Sequence, residues 1–523
     1  MPRLRLRRRS RPGVDVRKRR AEGGAGGYDP AMLTTNTLDP EICYRALLTR
    51  DARFDGQFFT GVRTTGIYCR PVCPATTPKR QNITFYRSAA AAEVAGFRSC
   101  LRCRPERAPA TAPANRVMDR AMAIIAEGEN EDGDSLAARL GLGERQLRRL
   151  FATHLGASPK AVAQTRRNLL ARQLVTETDL PLTEVALAAG FGSLRRFNHV
   201  FVSLYGQAPS AMRRGTRRPT DKGLTLSLPF RPPYDWLGMI AVLTAHAIPG
   251  VESVTPDCYR RIITLGGHHG TVAVSPLGPT SLQARIDFPA IRFLPRIVAR
   301  LRRIFDLGAD PAPIDSVLAE DPAMAPLVAA RPGLRVPGAW DGFELAVRVI
   351  LGQQVSVVAG KTLAAKLVTQ FGTPVETGIP GLTGLFPSPE RLVAEAETIS
   401  LHLNMPRARA AAIVNLAKAA ADSPGLLERG EGLDLSIRSL CAIGGIGPWT
   451  AGCIALFALR EPDAFPPKDV GLQRALGLND RDLMARAEAW RPWRAYAAMH
   501  LWMVALRLSP SPALERKTDE PVA

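Results

Sequence analysis

The chain has 523 residues, enough at ~150 residues per domain for three or four domains with cores of their own, which excludes a single small module. With 46% hydrophobic and 22% charged residues it has the balance of a folded chain and not of a disordered one. Lys+Arg 69 against Asp+Glu 48 leaves a net charge of +21, so the electrostatic partner is a polyanion: nucleic acid first, an anionic membrane surface second.

The charge is uneven. Residues 1 to 20 hold ten Lys/Arg, among them Arg7, Arg8, Arg9, Lys18, Arg19 and Arg20, against one acid, Asp15, leaving +12 for the rest. This segment lacks the apolar run of a signal peptide and precedes the Gly-rich Gly23 to Gly27 and then Met32. Residues 1–38 therefore read as a basic flexible arm, or as an overlong start ahead of Met32. The longest uncharged stretch, Ile262 to Ala284, carries Gly266, Gly267, His268, His269, Gly270 and two prolines, so it reads as strands and turns; no membrane span or membrane partner is expected. The two histidines read as turn residues without a third metal ligand. Eight cysteines without a secretory signal point to the reducing cytoplasm, where a tight cysteine cluster is a metal site.

Such a cluster comes first along the chain. Cys69, Cys73, Cys100 and Cys103 stand as Cys-x3-Cys and Cys-x2-Cys, a spacing that lets two loops present four thiolates tetrahedrally to one Zn²⁺. On spacing alone a purely structural zinc explains it. The surrounding words FFTGVRTTGIYCRPVCPA and AAGFRSCLRCRPER resemble the zinc domain of Ada-type alkylation-response proteins, over residues 39–107. The resemblance implies that Cys69 accepts a methyl group from a methylphosphotriester of the DNA backbone, with Arg63, Arg70, Arg98, Arg102 and Arg104 as candidate phosphate contacts or as a solvated basic face.

Between Asn115 and Met212 apolar residues recur at three and four, which predicts several short helices. Two segments, SLAARLGLGERQLRRLFATHLGASPKAV and PLTEVALAAGFGSLRRFNHVFVSLYGQAPSAMRR, each have a helix, a Gly-containing turn and a second helix. In the second, Leu187, Ala188 and Ala189 fall in the bend and Ser193 is the expected N-cap. The pair resembles the AraC-type DNA-binding domain over residues 115–214. That implies reading by Glu144, Arg145, Gln146 and Arg148 in one unit and by Ser193, Arg195, Arg196 and Asn198 in the other. Two units on one chain can reach major-groove segments about 34 Å apart without a dimer, so a monomer is expected. Phe151, Phe197 and Phe201 are expected in the core.

From Leu224 to Pro289 strand-like runs surround one helical run, Trp236 to Ala247, predicting a small antiparallel sheet with helices on one face. Helical periodicity then returns from Trp340 to Leu508. There Leu440 to Leu456 (LCAIGGIGPWTAGCIAL) reads as a helix end, a Gly-rich hairpin and a helix opening at Pro448. Gly444, Gly445 and Gly447 let the backbone approach phosphate while helix N–H groups point toward it. Some twenty residues on, Asp469 enters a helix over Val470 to Leu476; alone, it would be an ordinary N-cap. Pro, Gly and Arg replace any hydrophobic period at Arg104–Ala114, Arg213–Gly223 and Arg331–Gly338, which read as linkers.

Hairpin, Pro-rich loop and Asp together, with ILGQQVSVVAGKTLAAKLV upstream and WRPWRAYAAMHLW downstream, resemble the AlkA-type 3-methyladenine DNA glycosylases of the helix-hairpin-helix superfamily, over residues 222–332 and 338–508. The resemblance implies that Asp469 stabilises the oxocarbenium-like sugar, that Trp449 and Trp502 line a pocket for a cationic base, and that Gln353-Gln354, with Gln354 as the DNA contact, stands where a Leu often wedges into the duplex. The carbonyls of Cys441, Ile443 and Ile446 would be the ligands of a monovalent cation. A lysine nucleophile is replaced by Trp449, so a monofunctional glycosylase is expected. Cys258, Cys441 and Cys453 do not make a four-cysteine set and are expected to be buried thiols. No Pro-Cys-His-Arg sequence occurs, so no guanine-O6 methyltransferase module is expected.

The expected class is multidomain α+β: a small zinc-bound α/β domain, an all-α double helix-turn-helix, an antiparallel β-sheet with helices, an all-α helix-hairpin-helix glycosylase domain, and a tail, residues 509–523. The partner is double-stranded DNA, at alkylated sites and at a promoter. Two other functions fit the same residues: a methylation-switched activator whose C-terminal half only binds DNA, and a glycosylase with vestigial DNA-targeting domains.

Overall fold

The computed structural model describes residues 38–109, 116–128, 133–213, 223–423, 425–428 and 432–506. The expected arm before residue 38, the tail, and most of the Arg213–Gly223 stretch lie outside these residues.

The first module is a four-stranded sheet in the order β3-β1-β2-β4, built from β1 (Phe59–Val62), β2 (Ile67–Cys69), β3 (Ile83–Tyr86) and β4 (Arg98–Ser99). The first three strands pair antiparallel, while β2 and β4 run parallel with Tyr68 opposite Ser99. A helix over Ala89–Val94 packs on this sheet because it is almost all alanine, with Ala89 to Ala92 buried and Ser88 capping the Ala91 N–H at 3.0 Å.

Helices Gly133–Arg139 and Glu144–Leu155 form the first helix-turn-helix unit, and Leu182–Ala188 and Leu194–Tyr205 the second. A central helix, Pro159–Glu177, joins them. Phe151, Phe197 and Phe201 are buried, as their spacing predicts. Ser193 caps its helix through the Arg196 N–H at 3.2 Å. Leu187, in contrast, is 54% exposed: at the end of its short helix it faces away from the bend that Ala188 and Ala189 fill.

The sheet of the C-terminal half is fully antiparallel in the order β5-β9-β8-β7-β6, with β5 (Leu224–Pro229), β6 (Glu252–Thr255), β7 (Cys258–Leu265), β8 (His268–Pro276) and β9 (Ser281–Asp287). His268 and His269 are not turn residues. Gly266 and Gly267, with φ of 57° and 77°, make the two-residue turn, and both histidines pair with β7. Helices Trp236–His246, Leu294–Ile304, Pro311–Ala319 and Ala325–Ala330 accompany this sheet, and helices from Gly342–Leu351 to Arg494–Ala505 follow, with one short antiparallel pair, Thr373–Pro374 and Gly384–Leu385, among them.

Two of the expected linkers are packed instead. In Arg331–Gly338, Leu334 and Val336 enter the helical core and Arg335, 1% exposed, donates to the carbonyls of Ala309, Arg231 and Pro233. In the described part of Arg104–Ala114, Arg107 pairs at 2.9 Å with Glu177 of the central helix. Composition marks a stretch without secondary structure; it does not say whether arginines will satisfy backbone carbonyls and carboxylates in the interior. The second helix-turn-helix unit and the C-terminal sheet also share one hydrophobic core, in which Phe201 and Met212 join Leu226, Leu228 and Met239.

Candidate metal centre and carboxylate site

The parallel pairing of β2 with β4 explains how residues some thirty apart in sequence meet. Cys69 ends β2, and Cys100 follows β4 directly, its N–H donating to the Tyr68 carbonyl at 3.0 Å. Cys73 and Cys103 arrive from the turns that follow, and the four Sγ atoms all lie within 4.8 Å of one another. Four thiolates at ~2.3 Å from a tetrahedral Zn²⁺ would stand about 3.8 Å apart, so the residues fit that ion. Cys73, Cys100 and Cys103 are buried and Cys69 is half-buried, the most accessible residue of the four. The Arg70 N–H points to Cys103 Sγ at 3.4 Å. Of the five nearby arginines, Arg63, Arg98 and Arg102 are exposed. Arg70 instead forks onto Asp55, and Arg104 donates one Nε bond to Glu106 at 3.0 Å, a use in folding that the basic sequence pattern did not reveal.

On the helix-turn-helix units, Arg145, Gln146, Arg148, Arg195 and Arg196 are exposed and Asn198 is half-buried. Arg148 pairs with Glu144 one turn before it.

In the C-terminal half, Asp469 is 8% exposed and each of its carboxylate oxygens accepts at least one hydrogen bond. The Trp449 indole N–H donates to Oδ2 at 2.8 Å; the Trp502 indole N–H at 3.1 Å and the Leu472 backbone N–H at 2.9 Å donate to Oδ1. Asp469 is thus the cap of the helix Val470–Leu476 and a charge centre at once. Phe457 stacks on Trp502 at 5.6 Å and 20°. Cys453 is buried close by, and burial together with the Asp469 charge pushes its thiol well above the usual range. Cys258 and Cys441 are only half-buried, against expectation, because each lies near an element end.

The hairpin glycines Gly444, Gly445 and Gly447 are exposed. Gly445 has φ 92°, and a Cβ there would come 2.4 Å from that of Ala412, so no larger residue fits. Gln354 is exposed at φ 55° between two helices. Gln353, the other residue of the expected wedge pair, turns its amide inward instead, donating to Gly445 O at 3.1 Å and to Thr450 Oγ1 at 2.9 Å. Arg409 holds the Gln353 carbonyl at 2.6 Å and Asn415 the Gly444 carbonyl at 3.1 Å. These side chains bind main-chain carbonyls, contacts that leave no pattern in sequence.

Four family models match consecutive parts of the chain: the metal-binding domain of Ada over residues 42–106, a helix-turn-helix domain over 136–215, the AlkA N-terminal domain over 225–341, and the HhH-GPD superfamily base excision DNA repair protein over 347–493. A Mycobacterium tuberculosis protein described as "Probable bifunctional transcriptional activator/DNA repair enzyme AlkA" is 42% identical over 480 residues, 89% of this chain and 96% of that one. The chain belongs to this family of joined Ada and AlkA proteins. Within the joined Ada/AlkA chain, DNA-3-methyladenine glycosylase 2 of Escherichia coli matches 53%, at 34% identity and over 96% of its own length. The bifunctional transcriptional activator/DNA repair enzyme Ada of Escherichia coli matches 31% at 34% identity, over 45% of its own length. A zinc-binding and DNA-binding half and a base-excision glycosylase half therefore share one polypeptide.

Proposed function

We propose that this chain excises 3-methyladenine-type alkylated purines as a monofunctional glycosylase and accepts methyl groups from DNA methylphosphotriesters on Cys69, a transfer that switches on transcription. The observation that carries the reading is the Asp469 carboxylate held by two indole N–H groups beside a Gly-rich hairpin.

An N3- or N7-alkylated purine is cationic, so its glycosidic bond is already weak once the nucleotide is extruded. The C–N electron pair leaves with the base and neutralises it, while positive charge grows on the sugar. Asp469, with every donor around it already in place, stabilises that charge without reorganisation and orients the water that attacks the anomeric carbon. The rings of Trp449 and Trp502 offer π-faces to the cationic base. Gly444, Gly445 and Gly447 clamp phosphate through the backbone, and Gln354 enters the gap left by the base. The carbonyls of Cys441, Ile443 and Ile446 belong to the same proposal as ligands of a monovalent cation.

At the N-terminal centre, bound zinc keeps the four sulfurs deprotonated at neutral pH and leaves a net charge of −2. The Cys69 sulfur attacks the methyl carbon; an S–C bond forms, the C–O bond breaks, and the phosphate oxygen departs with the electron pair. The reaction is stoichiometric. Losing one negative charge from Cys69 reduces repulsion from phosphate and tightens DNA binding, in which Arg145, Gln146, Arg148, Arg195, Arg196 and Asn198 read the promoter. We take the protein to act as a cytoplasmic monomer, with the domain limits read from its sequence.

One incubation tests both chemistries: methylated duplex is mixed with the full chain, freed bases are separated by chromatography, and cysteine peptides are weighed by mass spectrometry. Released 3-methyladenine and a methylated Cys69 peptide are expected. A methylated peptide without base release would leave a DNA-binding activator; base release without methylation would leave a glycosylase alone.

A further inference from the structure

One buried cation has no part in either reaction. Arg172 lies on the central helix of the helix-turn-helix block, yet its guanidinium, 2% exposed, serves the zinc module. Nη1 donates to Ser99 Oγ at 3.0 Å and pairs with Glu106 at 3.2 Å; Nη2 donates to the carbonyl of the metal ligand Cys100 at 3.1 Å. The same guanidinium carbon sits 5.5 Å from the ring centroid of Tyr205, the last residue of the second recognition helix. Tyr205 in turn donates its hydroxyl to the Asn168 carbonyl of the central helix at 3.1 Å and packs on Phe201 at 4.5 Å. One side chain therefore touches the loop of a zinc ligand and the base of a DNA-reading helix.

A planar fork suits this place: two of its nitrogens donate to separate acceptors while its charge stands beside one carboxylate and one aromatic ring, an arrangement a single ammonium does not reproduce. The placement has an electrostatic consequence. Charge effects between exposed groups fade over about 8 Å at physiological ionic strength, so a methyl acceptor swinging on a loose tether would spread its charge change over many positions.

We infer that Arg172 is a positioning residue that holds the methyl-accepting cluster in fixed register with the second recognition helix, so that the charge lost at Cys69 acts on the duplex which that helix reads. The inference rests on the methyl-acceptor reading above and adds a mechanical link to it. The link predicts that order in the recognition helix depends on an intact metal centre.

Hydrogen–deuterium exchange on the full chain, with zinc and after chelation, tests this. In the unmodified chain chelation should raise exchange in residues 194–205 about tenfold, together with residues 67–104, as expected when one charge-assisted contact is lost. Tyr205→Leu leaves the Cys100 clamp in place and should confine the rise to residues 67–104. Arg172→Lys should do the same, and the comparison is always of one variant with and without zinc. An equal rise over residues 194–205 in all three chains, or none in the unmodified chain, overturns the link. Mass spectrometry of Cys69 after incubation with a methylphosphotriester duplex is scored separately; an unmethylated Cys69 there removes the methyl-acceptor reading whatever the exchange shows.

Discussion

Cys69 and Asp469 stand on opposite terms with solvent. Cys69 is the half-buried member of a cluster whose other three cysteines are buried, and it sits at the end of a strand. Asp469 is 8% exposed and spends both carboxylate oxygens on donors fixed by a hairpin helix, a C-terminal helix and its own helix start. A phosphotriester stays on the surface of the duplex, so the proposed acceptor would have to meet it there. An extruded nucleotide can be carried inward, where low polarity strengthens every electrostatic contact to the reacting sugar. On the proposed reading, burial separates a consumable nucleophile from a reusable charge.

The largest way to break this contrast is Asp469→Asn. Asn still caps the helix, so the chain should fold, but its NH₂ faces an indole N–H and the negative charge is gone. Base release should fall about 10²–10³-fold, the usual cost of removing a charge-stabilising group, as measured by chromatography of freed purines. Undiminished release would remove the proposed mechanism. Next, Cys69→Ser should abolish methylation of that peptide while leaving base release within about twofold, because nothing in the carboxylate site depends on it.

A sharper test is Trp502→Phe, which keeps an aromatic face and deletes one donor to Oδ1. A hydrogen bond to a charged group nets about 1.5–3 kcal/mol, so the catalytic constant should drop between about tenfold and 150-fold with little change in KM. A change confined to KM would make the indole a wall of the pocket and nothing more. The smallest effect concerns pH. Burial pulls His500, 2% exposed and two residues from Trp502, down to about 4 from its ordinary 6.5. A lowered folded-state pKa means stability that is complete above about pH 6.5 and lost as pH falls toward 4. Scanning calorimetry should show a melting temperature that declines over that window and a flatter profile in His500→Gln.

Much of the candidate site was legible because its chemistry needs particular residue types at short spacing. Four cysteines in two close pairs, a Gly-rich hairpin ahead of a helix and an Asp at a helix start each announce themselves locally. The second role of Trp449 and Trp502 did not. Aromatic positions suggest rings, and only the fold shows that both indole N–H groups converge on one carboxylate. The hairpin contacts of Gln353, a residue of the expected wedge pair, and the role of Arg172 were invisible for a related reason: both act on main-chain carbonyls, which every residue has. The stretch Arg331–Gly338 misled, since Pro, Gly and Arg look alike in a solvated linker and in a buried strut.

From its residues alone this chain is an assembly of a thiolate cluster, two DNA-reading helix pairs and a hairpin glycosylase half, because local spacing and periodicity are written in covalent order. The three-dimensional fold decided which of the four cysteines is least buried, which donors hold Asp469 and how the zinc module is joined to the reading helix. Those facts depend on contacts between residues tens to hundreds apart, where burial sets the worth of each hydrogen bond and charge, and no short-range pattern encodes them.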